Sequence, residues 1–287
     1  MAAMHQAIKT VCVCGAGTMG SGIAQVMAQG GYSTLLFDLN EAVLEKARSS
    51  IYTSLSGFAA KGRITPEERE RIFSRLTFSN NIQTCAADLV IEAIIEDAAA
   101  KEHLFQQLAA INEPHTIFAT NTSSLSVSAI AEKLPQAARF AGMHFFNPAP
   151  LMKLVEVVEG EQTSGEIIET MRSLIKGLGK TPVVCKDAPG FIVNRVARHY
   201  YLEALKMAEE HLADFETIDA LLESAGFKMG PFRLMDLIGN DINLAVTTSL
   251  YEACGKPARL RPSAIQMMKV QAGELGRKTG KGYYTYE

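Results

Sequence analysis

Gly15-Ala16-Gly17-Thr18-Met19-Gly20 is the feature that most narrows what this chain can fold into. A G-x-G-x-x-G run takes its meaning from its neighbours. Here it follows the short apolar run Val11-Cys12-Val13-Cys14 and leads into residues 20–29, which read as a helix. A strand that turns straight into a helix sets the helix N-terminus, with its unpaired N–H groups and positive dipole end, beside the turn. Gly15 permits the tight turn, Gly17 lets a pyrophosphate approach the backbone, and Gly20 lets helix and strand pack closely. Thr18 and Met19 complete the same cofactor-binding loop. Asp38 ends a second strand, residues 33–37, 18 residues after Gly20. A carboxylate there accepts hydrogen bonds from a ribose 2′-hydroxyl and repels a 2′-phosphate, which favours NAD over NADP. The competing reading of Asp38 is a helix cap or a turn residue.

The rest of the first part keeps the alternation. Residues 41–61 and 98–111 read as helices, and 89–93 and 116–119 as strands. The last of these runs into Asn121-Thr122-Ser123-Ser124. Strands alternating with helices give a Rossmann-type α/β fold, a doubly wound, mostly parallel sheet covered on both faces. Residues 139–145 and 152–158 are apolar strands with no room for a helix between them, so the pattern predicts an antiparallel pair. Val183-Val184-Cys185 is the last strand of this part. Asp187-Ala188-Pro189-Gly190 reads as a turn and a boundary, giving an NAD-binding domain over 1–187 and a second, all-helical domain over 188–287. In that second domain residues 191–211 and 217–224 read as helices, and Tyr283-Tyr284-Thr285-Tyr286 as a closing strand.

Composition excludes several classes. The 287 residues suit two domains, and 47% of them are hydrophobic, enough for real cores. A net charge of -3 gives no electrostatic footprint for nucleic acid. No apolar run has the length of a membrane span. The five cysteines are odd in number and lack a C-x-x-C pair, so they read as buried thiols of a reducing compartment. Residues 1–6 show no secretory or transit pattern, which predicts a cytoplasmic protein, with a processed organellar one as the alternative.

Two residues in the antiparallel pair carry chemistry. His144 stands at the end of its strand, and Glu156 is an acid in the otherwise apolar Leu154-Val155-Glu156-Val157-Val158. A buried acid needs a partner. The two are equidistant from Pro150, so a chain that doubles back there makes them face each other. A carboxylate on one imidazole nitrogen fixes the tautomer and makes the other nitrogen the base. A structural ion pair between neighbouring strands is the alternative. No metal is expected at this constellation, which lacks three or four convergent ligands.

At this point the chain resembles the L-3-hydroxyacyl-CoA dehydrogenases, and within them the bacterial 3-hydroxybutyryl-CoA dehydrogenases of similar length. The likeness runs through Gly15 to Gln25, Asn121-Thr122-Ser123-Ser124-Leu125, His144 through Val158, and Ala188-Pro189-Gly190-Phe191-Ile192-Val193-Asn194-Arg195. It continues in Met229-Gly230-Pro231-Phe232 and in Gly276 through Tyr284. The resemblance implies that His144 is the general base and Glu156 its orienting acid, with Ser123 and Asn194 holding the oxygens of an acyl-CoA substrate. It implies further NAD contacts at Glu96, Lys101, Asn121, Ser123, Asn147 and Lys278, and CoA contacts at Ser54 and Lys61. It also implies a homodimer formed through the helical domain, and a place in fatty-acid β-oxidation or butanoate metabolism. From the residues alone, the alternative for Ser123 and Asn194 is a helix cap, and for Lys61 a solvated surface lysine. Other chemistries of similar build, such as oxidation of a small hydroxy acid or sugar acid, stay open at this level.

Overall fold

A computed structural model describes residues 8–287, so the reading of residues 1–6 lies outside the described residues. Two compact units divide the chain, Met1–Asp187 and Ala188–Glu287.

The first unit begins β1 (Thr10–Cys14), α1 (Thr18–Gln29), β2 (Ser33–Phe37), α2 (Glu41–Ala60), α3 (Pro66–Phe73), β3 (Leu76–Ser79), β4 (Leu89–Glu92), α4 (Ala98–Ile111) and β5 (Ile117–Thr120). It goes on through α5 (Val127–Ala131), β6 (Phe140–Phe145), β7 (Leu154–Glu159), α6 (Gly165–Gly177) and β8 (Thr181–Lys186). The strands form one sheet in the order β3-β2-β1-β4-β5-β6-β7-β8. The β3-to-β6 ladders are parallel, β6 meets β7 antiparallel, and β7 pairs β8 parallel. The strand order reverses around β1 and β4, and in such sheets the crevice for a ligand opens at the carboxyl ends of those strands.

Local chemistry sets the element ends. The Asn40 side chain accepts from the N–H groups of Ala42 and Val43 and starts α2. Thr65 and Glu68 form a reciprocal capping box at α3, with Pro66 in its first turn. Val11 and Val13 of β1, Ile23 and Met27 of α1, and Ile51 and Leu55 of α2 share one core. Three of the five cysteines, Cys12, Cys14 and Cys85, are buried as expected, but Cys185 and Cys254 are half-buried. Cys185 lies in β8, a sheet edge whose other face is partly open.

The second unit holds α7 (Val193–Glu209), α8 (Phe215–Ser224), α9 (Pro231–Ile238), α10 (Asn240–Ala253) and α11 (Ala264–Gln271). Its core gathers Tyr201, Leu205, Phe232, Met235, Leu250 and Tyr283. The closing strand expected at residues 283–286 does not form; that segment makes an isolated bridge, Lys281 with Thr285. The cause is Asp236, whose buried carboxylate takes the N–H groups of Tyr283 at 2.9 Å and Tyr284 at 3.0 Å and the hydroxyl of Tyr286 at 2.9 Å. A side chain has taken the donors that a ladder would use. Asp219 does the same for the start of α9, accepting from the N–H groups of Phe232 and Arg233.

Candidate active site

The glycine loop sits between β1 and α1. Gly15 has φ +101, and a side chain there would meet the Ala93 backbone after β4. A Cβ at Gly20 would fall on the carbonyl oxygen of Gly15, so helix and turn touch backbone to backbone. A Cβ at Gly17, in contrast, would meet nothing within 4 Å. Gly17 is the N-cap of α1, which has no side-chain cap and no acid in its first turn. Open space in front of uncapped N–H groups is what a pyrophosphate needs. Thr18 borders that space, whereas the Met19 side chain packs on the core and leaves its backbone to the loop. Asp38 accepts the N–H of Ala16 at 2.8 Å and that of Asn40 at 3.0 Å, which pins its carboxylate beside the loop. These residues fit a bound NAD.

An open cleft of about 1030 Å³ runs from this loop along α2. Ser54 and Asn147 line it, as do Lys46 and Ser50, which the sequence reading missed. The signal was present: Lys46, Ser50 and Ser54 are four apart and share one helix face. Lys61 is the exposed C-cap residue of α2 and stands outside the residues that line the cleft.

A buried charge network lies at the end of β4. Lys101, 1% exposed, reaches from α4 to Glu92 at the end of β4 at 2.5 Å and to Glu96 at 3.2 Å. Glu92 also takes the Thr120 hydroxyl at 2.7 Å and the N–H of Ile94 at 2.7 Å. Burial pushes the Glu92 carboxyl up, against the pull of Lys101. Glu96 feels the same burial, yet the Lys101 charge and the donors around it hold it below the usual carboxylate range. Those donors are the Thr122 hydroxyl at 2.6 Å, the N–H groups of Ser123 at 2.9 Å and Ser124 at 3.2 Å, and the Ser124 hydroxyl at 2.9 Å. Glu96 therefore shapes the loop that carries Ser123, and Lys101 acts from behind it. Asn121 accepts the N–H of Phe145 at 2.9 Å and so ties this loop to the end of β6. Glu92 was missed, although an acid in an apolar strand is the signal that had marked Glu156.

β6 and β7 pair with His144 opposite Glu156. His144 Nδ1 lies 2.7 Å from Glu156 Oε2, with the two residues 6% and 1% exposed. The imidazole packs on Phe146, ring centroids 4.6 Å apart. A carboxylate at Nδ1 holds the ring and directs proton transfer to Nε2. In the second unit Asn194 is the second residue of α7, and Lys278 is bound by both Asp241 oxygens at 2.6 and 2.7 Å.

Two family models match: the NAD binding domain of 3-hydroxyacyl-CoA dehydrogenase over residues 10–188, and its C-terminal domain over residues 190–286. The 3-hydroxyadipyl-CoA dehydrogenase of Escherichia coli is 48% identical over 97% of this chain, which spans 59% of that protein. A probable 3-hydroxybutyryl-CoA dehydrogenase of Deinococcus radiodurans is 42% identical over 96% of this chain and 99% of its own length. The crystal structure of a (S)-3-hydroxybutyryl-CoA dehydrogenase from Ralstonia eutropha superposes with a TM-score of 0.94 at 38% identity, covering 98% of this chain and all of that one. With the two family models together matching residues 10–188 and 190–286 and a dinucleotide loop of the right build, the chain belongs to the 3-hydroxyacyl-CoA dehydrogenase family.

Proposed function

We propose that this chain oxidises the 3-hydroxyl of a 3-hydroxyacyl-CoA to the 3-oxo group, with NAD as the electron acceptor and His144 as the base. The observation that carries the reading is the 2.7 Å contact between His144 Nδ1 and Glu156 in matched register on β6 and β7. NAD, when bound, supplies the nicotinamide carbon that receives the hydride. His144 Nε2 takes the hydroxyl proton as the hydride leaves C3, and the Glu156 carboxylate stabilises the imidazolium that results. Ser123, on the loop shaped by Glu96, and Asn194, at the start of α7, orient the reacting oxygens. Gly15, Gly17, Thr18, Gly20 and Asp38 hold the cofactor, with Asn147 and Lys278 as further contacts. Ser54 and Lys61 meet the CoA portion. In the reduction the same groups act in reverse.

The acyl group in this reading is short, 3-hydroxybutyryl, as in the names of the Deinococcus and Ralstonia relatives. The name of the Escherichia coli relative makes 3-hydroxyadipyl-CoA the second substrate to assay. The enzyme is taken as a cytoplasmic homodimer. Leu221, Phe227, Leu237, Ile242 and Met268, between 49% and 64% exposed, support a buried face on the helical unit. The decisive experiment follows NADH formation with 3-hydroxybutyryl-CoA, 3-hydroxyadipyl-CoA and free 3-hydroxybutyrate. Activity confined to the free acid would sink the reading.

A further inference from the structure

β1 turns Cys12 and Cys14 to one face of the sheet, and the turn before β4 brings Cys85 against them. Residues two apart on a strand stand roughly 6.6 Å apart along it. Yet the Sγ atoms of Cys12 and Cys14 are 3.8 Å apart, and the three sulfurs all lie within 4.8 Å of one another. All three residues are 0% exposed. Sulfurs that share one ion at about 2.3 Å stand about 4 Å from each other. The thiols thus stand within about 1 Å of the spacing of a ligand set.

We propose that Cys12, Cys14 and Cys85 form a three-sulfur site for a soft, three-coordinate thiophilic ion, and that trivalent arsenic is the ion it suits best. Coordination number is the first reason. The cluster gathers no histidine or carboxylate among the described residues, and structural zinc takes four ligands. Charge is the second. A buried charge without a partner is costly. Arsenious acid and three thiols give a neutral As(S)₃ unit and three waters. Three As–O bonds break, three As–S bonds form, and each thiol proton leaves with a hydroxide; nothing is oxidised or reduced. Monovalent copper on three thiolates would leave two negative charges in the core. Access is the third. Cys85 directly follows the short 3₁₀ turn Ile82–Thr84, and its neighbours Thr84 and Ala86 are exposed, so lifting one turn opens the site.

Occupancy would reach the cofactor loop. Cys14 is the residue before Gly15, and its carbonyl accepts the N–H of Ala93 at 2.7 Å. Ala93 is the backbone on which Gly15 sits. Drawing the sulfurs onto one ion shifts the end of β1 and weakens NADH binding.

The test titrates the full-length protein, reduced with a phosphine, with arsenite. Native mass spectrometry should show one adduct, of one arsenic less three hydrogens. X-ray absorption should count three sulfurs, and NADH affinity by fluorescence should fall about tenfold, a coupling of ordinary size. Cys85→Ala should abolish uptake and leave NADH affinity indifferent to arsenite, while Cys185→Ala and Cys254→Ala keep both effects. Absent uptake by folded wild type, fewer than three sulfurs, or full uptake by Cys85→Ala overturns the site. Should Cys85→Ala not fold, the sulfur count on wild type decides alone. A tighter complex with zinc or monovalent copper overturns the choice of arsenic. None of these readouts depends on the acyl substrate.

Discussion

His144 shows how a single residue acquires its chemistry from a neighbour across a strand pair. Because Glu156 sits at its Nδ1, His144→Gln should keep the ring's place in the packing but lose the proton acceptor. Turnover should fall by about 10²–10⁴, with NADH affinity little changed; wild-type turnover in a folded, NADH-binding variant would rule out His144 as the base. Glu156→Gln removes the charge when the imidazolium forms. It should lower kcat far more than it raises KM, and near-normal turnover would reduce the pair to a structural contact. At the other end of the sheet, the pinned Asp38 carboxylate should favour NAD over NADP by at least about tenfold in kcat/KM, or about 1.4 kcal/mol. Equal efficiency with NADP would remove Asp38 from the ribose.

Among the elements, α4 matters for what it carries beneath the loop after β5. Lys101 and Glu92 are 1% and 0% exposed, and removing one partner of a buried pair strands the other charge. Lys101→Met should cost about 3–5 kcal/mol of stability by urea unfolding. The double replacement Lys101→Met with Glu92→Leu should recover much of that loss, and an equal loss in both variants would mean that charge is not the cause. Glu96→Gln is the milder probe. It keeps the size of the side chain but weakens the hydrogen bonds to Thr122, Ser123 and Ser124, and should raise KM for the acyl-CoA more than KM for NAD. The missed elements are instructive at this scale too. α3 was announced by Thr65-Pro66-Glu67-Glu68, a cap, a first-turn proline and a reciprocal acid. β3 has four residues at the sheet edge and too little periodicity to be read.

For the molecule as a whole, a ligand that binds the folded state shifts its stability by mass action. NADH at 100 times its Kd should add about 2.7 kcal/mol, read as a rise in the unfolding midpoint. NADPH at the same concentration should add much less. A concentration-dependent sedimentation profile that resolves to two copies supports the homodimer, and a monomer at every concentration removes it. In that assay Ile242→Glu, which places a charge on an exposed apolar position of α10, should dissociate the pair without unfolding it.

The sequence alone determined the parts of this protein that depend on neighbours along the chain. The glycine loop, the β–α alternation and the doubling back at Pro150 are local patterns, since glycine conformations, periodicity and turns are set within a few residues. Tertiary structure decided what depends on distant partners. It brought Thr122, Ser123 and Ser124 onto Glu96, 26 to 28 positions earlier in the chain, and it took the backbone of Tyr283 and Tyr284 to Asp236 and cancelled a strand. It also gathered Cys85 with two cysteines that are more than 70 positions earlier. A buried polar group must find its partner in space, and no window along the sequence contains that partner.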